Sequence, residues 1–296
     1  MDGILCIDKP EGMTSLLCVA IVRRLLGVKK VGHAGTLDPN ATGVLPLLIG
    51  RGTKLLDHLP CHDKCYTATL RFGAVSDTLD VWGEVTETGG TIPTLAEVEA
   101  ALPAFRGDIL QVPPMTSALK KDGVRLYELA RQGIEVEREA RPVTIYQLDL
   151  LEYDETEGLL TLSCHCSSGT YIRTLCDDLG RVLGCGAVMT ALRRTMAAGY
   201  PLTDCLTIEQ AKELAEAGTL QERLLPLDTA LSAYPAITVS APQAARFRNG
   251  GALALERLRA KVEGPVRVYD PNGACIALGT PADGELKLSC LLKTNP

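Results

Sequence analysis

The chain has 296 residues, enough for one large domain or two unequal ones at roughly 150 residues each. Hydrophobic residues make up 46% of it, yet no apolar run reaches the about 20 residues that a bilayer span needs, which excludes a membrane-spanning helix. The formal net charge of −6 argues mildly against a polyanionic partner, but the average hides an asymmetry: from Ala233 onward eight Lys and Arg face five acids, leaving −9 for the rest.

No basic start followed by an apolar stretch and a small-residue cleavage site opens the chain, so a soluble, cytoplasmic protein is expected. Its 11 cysteines are odd in number and lack pairwise spacing, and reduced thiols packed as small hydrophobes are the expectation.

Ile4 to Asp8 reads as a short buried strand, ended by the turn Lys9-Pro10-Glu11-Gly12. Ser15 is placed to cap a helix through about Leu26, with Leu16, Val19, Ala20 and Arg23 at helical spacing and Gly27 as its stop. Val31 to Gly43 carries three glycines, a proline and four small polar residues, and is predicted as a long polar loop. Tyr66 to Phe72 alternates as a strand, and Thr94-Leu95-Ala96-Glu97 is a capping box. Arg125 to Gln132 reads as a helix stopped by Gly133. Thr144 to Tyr153 and Leu159 to Cys166 read as paired strands around Glu157-Gly158.

Ser167-Ser168-Gly169-Thr170 leads into an amphipathic helix, Tyr171 to Leu183, and Thr207-Ile208-Glu209-Gln210 opens another that ends at Gly218. Beyond Tyr234-Pro235 the pattern changes to short strands separated by Gly, Pro and Asp: Val266 to Tyr269, Cys275 to Leu278 and Leu286 to Leu291. A domain boundary is placed near residue 232.

Asp38 is the first chemical candidate. An Asp-Pro step also starts ordinary turns, but here His33 lies five residues upstream and glycines surround it. A loop carboxylate held by backbone donors and a cation stays ionised and serves as nucleophile or base. Tyr171 and Arg173 project from a helix start; a capped helix with a surface Arg is the plain alternative. Tyr66 fits half-buried packing, or a stacking surface with a polar tip. The clusters Cys61-His62-Asp63-Lys64-Cys65 and Cys164-His165-Cys166 lack zinc-site spacing. On a strand, Cys164 and Cys166 share a face while His165 points away. No Walker loop or dinucleotide fingerprint is present, and no metal or cofactor is expected.

Several motifs occur in one order: Asp8-Lys9-Pro10-Glu11-Gly12-Met13-Thr14-Ser15, Gly32-His33-Ala34-Gly35-Thr36-Leu37-Asp38-Pro39, Ala41-Thr42-Gly43-Val44-Leu45-Pro46 and Lys64-Cys65-Tyr66. Ser76-Asp77-Thr78-Leu79-Asp80, Pro114-Met115-Thr116-Ser117-Ala118-Leu119-Lys120, Gly169-Thr170-Tyr171-Ile172-Arg173-Thr174 and Leu192-Arg193-Arg194 continue the series. Together they resemble the bacterial tRNA pseudouridine-55 synthase family. The tail, with Val266-Arg267-Val268-Tyr269-Asp270 and Ala277-Leu278-Gly279, resembles the small β-rich PUA RNA-binding domain.

The resemblance implies an α+β fold: a catalytic domain over 1–232 with a mixed, mainly antiparallel sheet and flanking helices, and a PUA-like domain over 233–296. It implies isomerisation of uridine 55 in the tRNA T-loop, without a cofactor or an obligatory protein partner. Asp38 would be the nucleophile and Arg173 its ion-pair partner, and Tyr66 would be the third catalytic residue, stacking on the uracil and assisting removal of the proton from carbon 5. His33, Tyr171 and Leu192 would shape the pocket. Lys9, Lys120, Arg193 and Arg194 are the candidates for the RNA backbone, with Lys29-Lys30, Lys121, Arg125 and the basic tail as further cations. A non-catalytic RNA binder and a thiol- or zinc-dependent enzyme are the competing readings.

Overall fold

The structure is a computed structural model that describes residues 1–258 and 261–292. Two cations of the basic tail, Arg259 and Lys293, lie outside the described residues. In chain order, β1 (Gly3–Lys9), α1 (Ser15–Leu25), β2 (Val31–His33) and β3 (Thr42–Ile49) come first. Next are β4 (Lys64–Phe72), the hairpin β5 (Ala74–Ser76) and β6 (Val85–Glu87), α2 (Leu95–Ala101) and β7 (Gly107–Gln111). A second hairpin, β8 (Lys120–Lys121) and β9 (Val124–Arg125), precedes α3 (Leu126–Ala130), β10 (Arg141–Asp154), β11 (Leu159–Cys166), α4 (Ile172–Val182) and β12 (Ala187–Ala197). The remainder holds β13 (Tyr200–Pro201), α5 (Ile208–Glu216), β14 (Ala236–Thr238), α6 (Ala241–Arg248), β15 (Leu253–Ala254), β16 (Val266–Tyr269), β17 (Cys275–Ala282) and β18 (Glu285–Leu291).

The chain forms two compact units. One comprises Met1–Pro39, Val44–His62 and the chain from Ala197 on; the other comprises Asn40–Gly43 and Asp63–Met196. In the first unit β1 is buried on both faces, which explains its unbroken apolar run. Leu5 and Ile7 pack with Cys18 and Val22 of α1, Leu45 and Leu47 of β3, and Ile208 and Ala211 of α5. Ile4 and Cys6 face the other way, against Val44, Leu48, Leu231, Leu278 and Cys290. Each such leucine or isoleucine contributes about 1.5–3 kcal/mol when fully buried. The tail adds a five-stranded sheet in the order β14-β16-β17-β18-β15, with Val266, Val268, Ile276, Leu286 and Phe247 of α6 in its own core.

The second unit is a sheet in the order β12-β4-β11-β10-β7. Its β4–β11, β11–β10 and β10–β7 pairs are antiparallel, while Arg193 and Arg194 of β12 pair in parallel with Thr42 and Gly43. A side chain at residue 43 is impossible there: a Cβ would lie 2.1 Å from the Arg194 carbonyl oxygen, and φ is +103°. Tyr66, Ala68, Leu70 and Phe72 of β4 share a buried face with Leu160, Leu162, Cys164 and Cys166 of β11. Helix α4, whose Ile172, Leu175, Cys176 and Leu179 are buried, packs against β4.

Three sequence expectations change. The cap of α1 is Thr14, whose side chain accepts from Leu17 N at 3.1 Å, not Ser15. The glycine-rich segment is not wholly irregular, because Val31, Gly32 and His33 pair with Ile49, Leu48 and Leu47. The Arg125–Gln132 helix shortens to α3, since Lys120 and Arg125 pair across an Asp122-Gly123 turn with φ of 52° and 84°.

Candidate active site

Asp38 sits half-buried in the first unit, in the loop that follows β2. Its two neighbours are fixed from opposite sides. Before it, the Ser15 hydroxyl accepts from Leu37 N at 2.9 Å and donates to Leu37 O at 3.1 Å, with Ser15 only 2% exposed. After it, the Lys9 ammonium donates to Pro39 O at 2.8 Å, and also to Pro10 O at 2.9 Å and Met13 O at 2.6 Å. The chain thus enters and leaves Asp38 through backbone groups held by buried side chains. Such a hold presets a carboxylate before substrate arrives. His33 closes β2 in the same unit, half-buried.

Lys9 is 0% exposed, so the expectation that it contacts an RNA phosphate is corrected: its charge is used inside the fold, where carbonyl oxygens replace water. Arg194, also 0% exposed, is corrected on the same ground. Arg193 is half-buried and donates to Thr42 Oγ1 at 3.2 Å, and Lys120 is exposed on the β8–β9 hairpin. Beside Lys120, the guanidinium carbons of Arg125 and Arg131 lie 5.8 and 5.3 Å from the Tyr127 ring centre. Among the described tail residues three cations are engaged locally: Arg248 with Asp270, Arg267 with the Tyr234 carbonyl, and Lys287 with Asp283.

In the second unit the first turn of α4 is built around Arg173. Gln111 of β7 fixes its entry, accepting from Tyr171 N at 3.0 Å and donating to Tyr171 O at 3.3 Å. The Arg173 guanidinium then donates to Thr78 O at 3.1 Å, Thr116 O at 3.1 Å and the Thr116 hydroxyl, and lies 3.8 Å from Asp80 Oδ2. Asp80 is itself oriented, accepting from Thr78 Oγ1 at 2.6 Å and Trp82 N at 3.2 Å. Between Thr78 and Asp80, Leu79 has φ of 64°, a left-handed conformation that leucine adopts only under restraint. Both anchoring segments belong to quoted motifs, but sequence reasoning gave Asp80 and Thr116 no role. Tyr66 of β4 lies opposite Cys164 and is buried, as is Leu192 of β12.

Cys164 and Cys166 take the buried face of β11, whereas His165 turns to the other side, against the Tyr146 ring and 3.9 Å from Asp63. Among the described residues, no three His, Cys, Asp or Glu side chains gather as a metal site, and no helix is long and apolar enough to cross a membrane.

Residues 23–172 match the family model described as TruB family pseudouridylate synthase (N terminal domain), and residues 173–232 the one described as tRNA pseudouridylate synthase B C-terminal domain. The tRNA pseudouridine synthase B of Dechloromonas aromatica is 47% identical over 286 residues, 97% of this chain and 93% of that protein. The protein of the same name from Haemophilus influenzae is 50% identical over 246 residues, covering 82% and 78%. That of Geobacillus thermodenitrificans is 43% identical over 284 residues, covering 94% of each. Among solved structures, a chain of a Cbf5-Nop10-Gar1 complex is similar with a TM-score of 0.76 at 23% identity, over 99% of this chain and 85% of that one. A chain of an archaeal box H/ACA sRNP Nop10-Cbf5 complex is similar with a TM-score of 0.74 at 23% identity, covering 99% and 86%. At such identity the likeness is one of fold.

Proposed function

The chain belongs to the TruB family of pseudouridylate synthases, and on that premise we propose that it isomerises uridine 55 in the T-loop of tRNA, in the cytoplasm, with Asp38 as the nucleophile. The coarser activity is that of its relatives, an isomerase that makes pseudouridine in tRNA. What carries the finer reading is the fixed backbone on either side of Asp38: Ser15 holds the residue before it and Lys9 the residue after it.

In this reading the bond between ribose C1′ and uracil N1 breaks, the base rotates, and a bond from C1′ to C5 forms. The proton on C5 leaves and N1 regains one, so the formula is unchanged and nothing is oxidised. The balance calls for a nucleophile, a stabilising cation and a proton acceptor. Asp38 is assigned the first role and Arg173 the second, and Tyr66 stacks on the uracil and assists removal of the C5 proton. His33, Tyr171 and Leu192 are the residues assigned to the extruded nucleotide. Flipping a base costs a few kcal/mol, offset by stacking and edge hydrogen bonds, and an RNA loop, whose bases splay out, is where that cost is small.

Lys120 and Arg193 remain as phosphate contacts, and the sheet beyond residue 232 is assigned as a PUA-like RNA-binding domain. Truncation at 232 is a poor test of that assignment, because Leu278, Cys290 and Leu292 share a core with Ile4 and Cys6. The experiment for the reading as a whole is to map pseudouridine by carbodiimide labelling and reverse transcription in an unmodified tRNA transcript. The expected result is one stop, at position 55, lost when that uridine is replaced by cytidine. Pseudouridine elsewhere with position 55 untouched would overturn the site, and tight binding without conversion would favour a non-catalytic RNA binder.

A further inference from the structure

Eleven cysteines have no part in the proposed chemistry, and Cys6 and Cys205 are among those that lie side by side. The segment after β13 runs beside β1 in parallel: Leu206 N donates to Cys6 O at 2.9 Å, and Asp8 N donates to Leu206 O at 2.8 Å. This sets Ile7 beside Leu206 and, one step back along both segments, Cys6 beside Cys205. The two pairs point to opposite sides. Ile7 and Leu206 enter the core that holds Leu45 and Leu47. Cys6 and Cys205 enter the other core, with Val44, Leu48 and Tyr200.

Adjacent strands lie about 4.8 Å apart, inside the roughly 4.4–6.8 Å between Cα atoms that a disulfide spans. Both thiols are free. They differ in access: Cys6 is buried, whereas Cys205 is partly exposed. The neighbouring Cys205 thiol and burial both push the Cys6 thiol far above its ordinary range. Cys205 is therefore the sulfur that an oxidant in solution meets, and Cys6 the one behind it.

We propose that Cys205 and Cys6 are a modification site for small-molecule disulfides such as oxidised glutathione, which convert the pair to an intramolecular disulfide. The Cys205 thiolate attacks one sulfur of the reagent, its S–S bond breaks, and one glutathione thiolate leaves with the electron pair. Cys6, giving its proton to that thiolate, then attacks the Cys205 sulfur and expels the second glutathione, whose thiolate takes up the proton that Cys205 released on ionising. Two protein thiols lose two electrons, and one oxidised glutathione becomes two reduced molecules. The product ties β1, three residues before Lys9, to the segment that opens α5.

The test uses the full-length folded chain and reads chemistry, not turnover, so it is independent of the proposed isomerase activity. Wild type, Cys6→Ala and Cys205→Ser are incubated with oxidised glutathione, remaining thiols are alkylated, and peptides are mapped by mass spectrometry. The wild type is expected to give a peptide joining Cys6 to Cys205 with little lasting adduct. Cys6→Ala should keep a glutathione adduct on Cys205, and Cys205→Ser should lose both products. The wild-type link alone decides the matter if either variant folds poorly. No Cys6–Cys205 peptide in the wild type, or an adduct on Cys205 that persists equally with and without Cys6, would overturn the proposal.

Discussion

Replacing Ser15 by alanine separates the two jobs that adjacent hydroxyls perform at the start of α1. Thr14 caps the helix, while Ser15 turns inward and binds both the N–H and the C=O of Leu37. Alanine removes both bonds at a position that water reaches poorly. A buried polar group left unpaired costs about 1–3 kcal/mol, so two such groups put roughly 2–6 kcal/mol on the loop that carries Asp38. At 1.4 kcal/mol per factor of ten, the lower figure raises competing loop conformers about 30-fold relative to the fixed one. The expected result for Ser15→Ala is a fall in kcat of about tenfold or more, with the KM for tRNA held within about twofold, because geometry rather than RNA contact is lost. Thr14→Ala is the control: losing the cap costs about 1 kcal/mol of stability and should leave kcat unchanged. Single-turnover kinetics and thermal melts on both variants read the two effects apart. Wild-type kcat in a folded Ser15→Ala, or two indistinguishable variants, would refute the reasoning.

Asp80→Asn keeps the shape at Arg173 but removes the charge 3.8 Å away, so kcat should fall about tenfold with tRNA affinity retained; Arg173→Lys should fall further, because an ammonium cannot fork across Thr78 and Thr116. Equal or better turnover by the lysine variant would contradict that order. Lys9→Met should lower the melting temperature sharply, by about 3 kcal/mol or more of stability, since buried carbonyls lose their donor. The salt dependence of its tRNA binding should not move, whereas Lys120→Ala should flatten the slope of log K against log salt by about 0.7–0.9. The opposite pattern would return Lys9 to the RNA surface. Asp270 is held below the ordinary carboxylate range by the Ala274 N–H and by Arg248. A depressed folded pKa gives stability that is full above the unfolded carboxylate pKa and is lost as pH falls through the folded one. Amides of β16 and β17 should therefore exchange faster as pH drops through that window, after correction for the intrinsic rate, and the added loss should vanish in Asp270→Asn. An unchanged profile in the variant would remove Asp270 from the acid response.

What the sequence disclosed depended on how local the physics is. The capping box Thr94/Glu97 forms as read, and the helix expected to open at Thr207 does so, through a second box with Gln210, because the partners lie within one helical turn. The alternation of Tyr66–Phe72 and Leu159–Cys166 gave the faces of β4 and β11 correctly, His165 included. Ser15 and Thr14 were not separable, since either hydroxyl can cap and only the distant Leu37 decides between them. The burial of Lys9 was hidden for the same reason: one acceptor, Pro39 O, is 30 residues away. Val31–His33 pairs through its backbone with a strand buried on both faces, so side-chain pattern carried no sign of it. Arg173 was legible as a candidate, but its anchors Thr78, Asp80 and Thr116 are joined to it only by folding.

In the proposed reading, Asp38 carries the isomerisation of uridine 55. The most direct measurement is tritium release from unmodified tRNA labelled at carbon 5 of uridine, with wild type and Asp38→Asn side by side and tRNA binding measured for both. Release should approach one equivalent per tRNA for the wild type, with none for Asp38→Asn at similar affinity and none from tRNA lacking the T-loop uridine. Release by Asp38→Asn at the wild-type rate would contradict that reading.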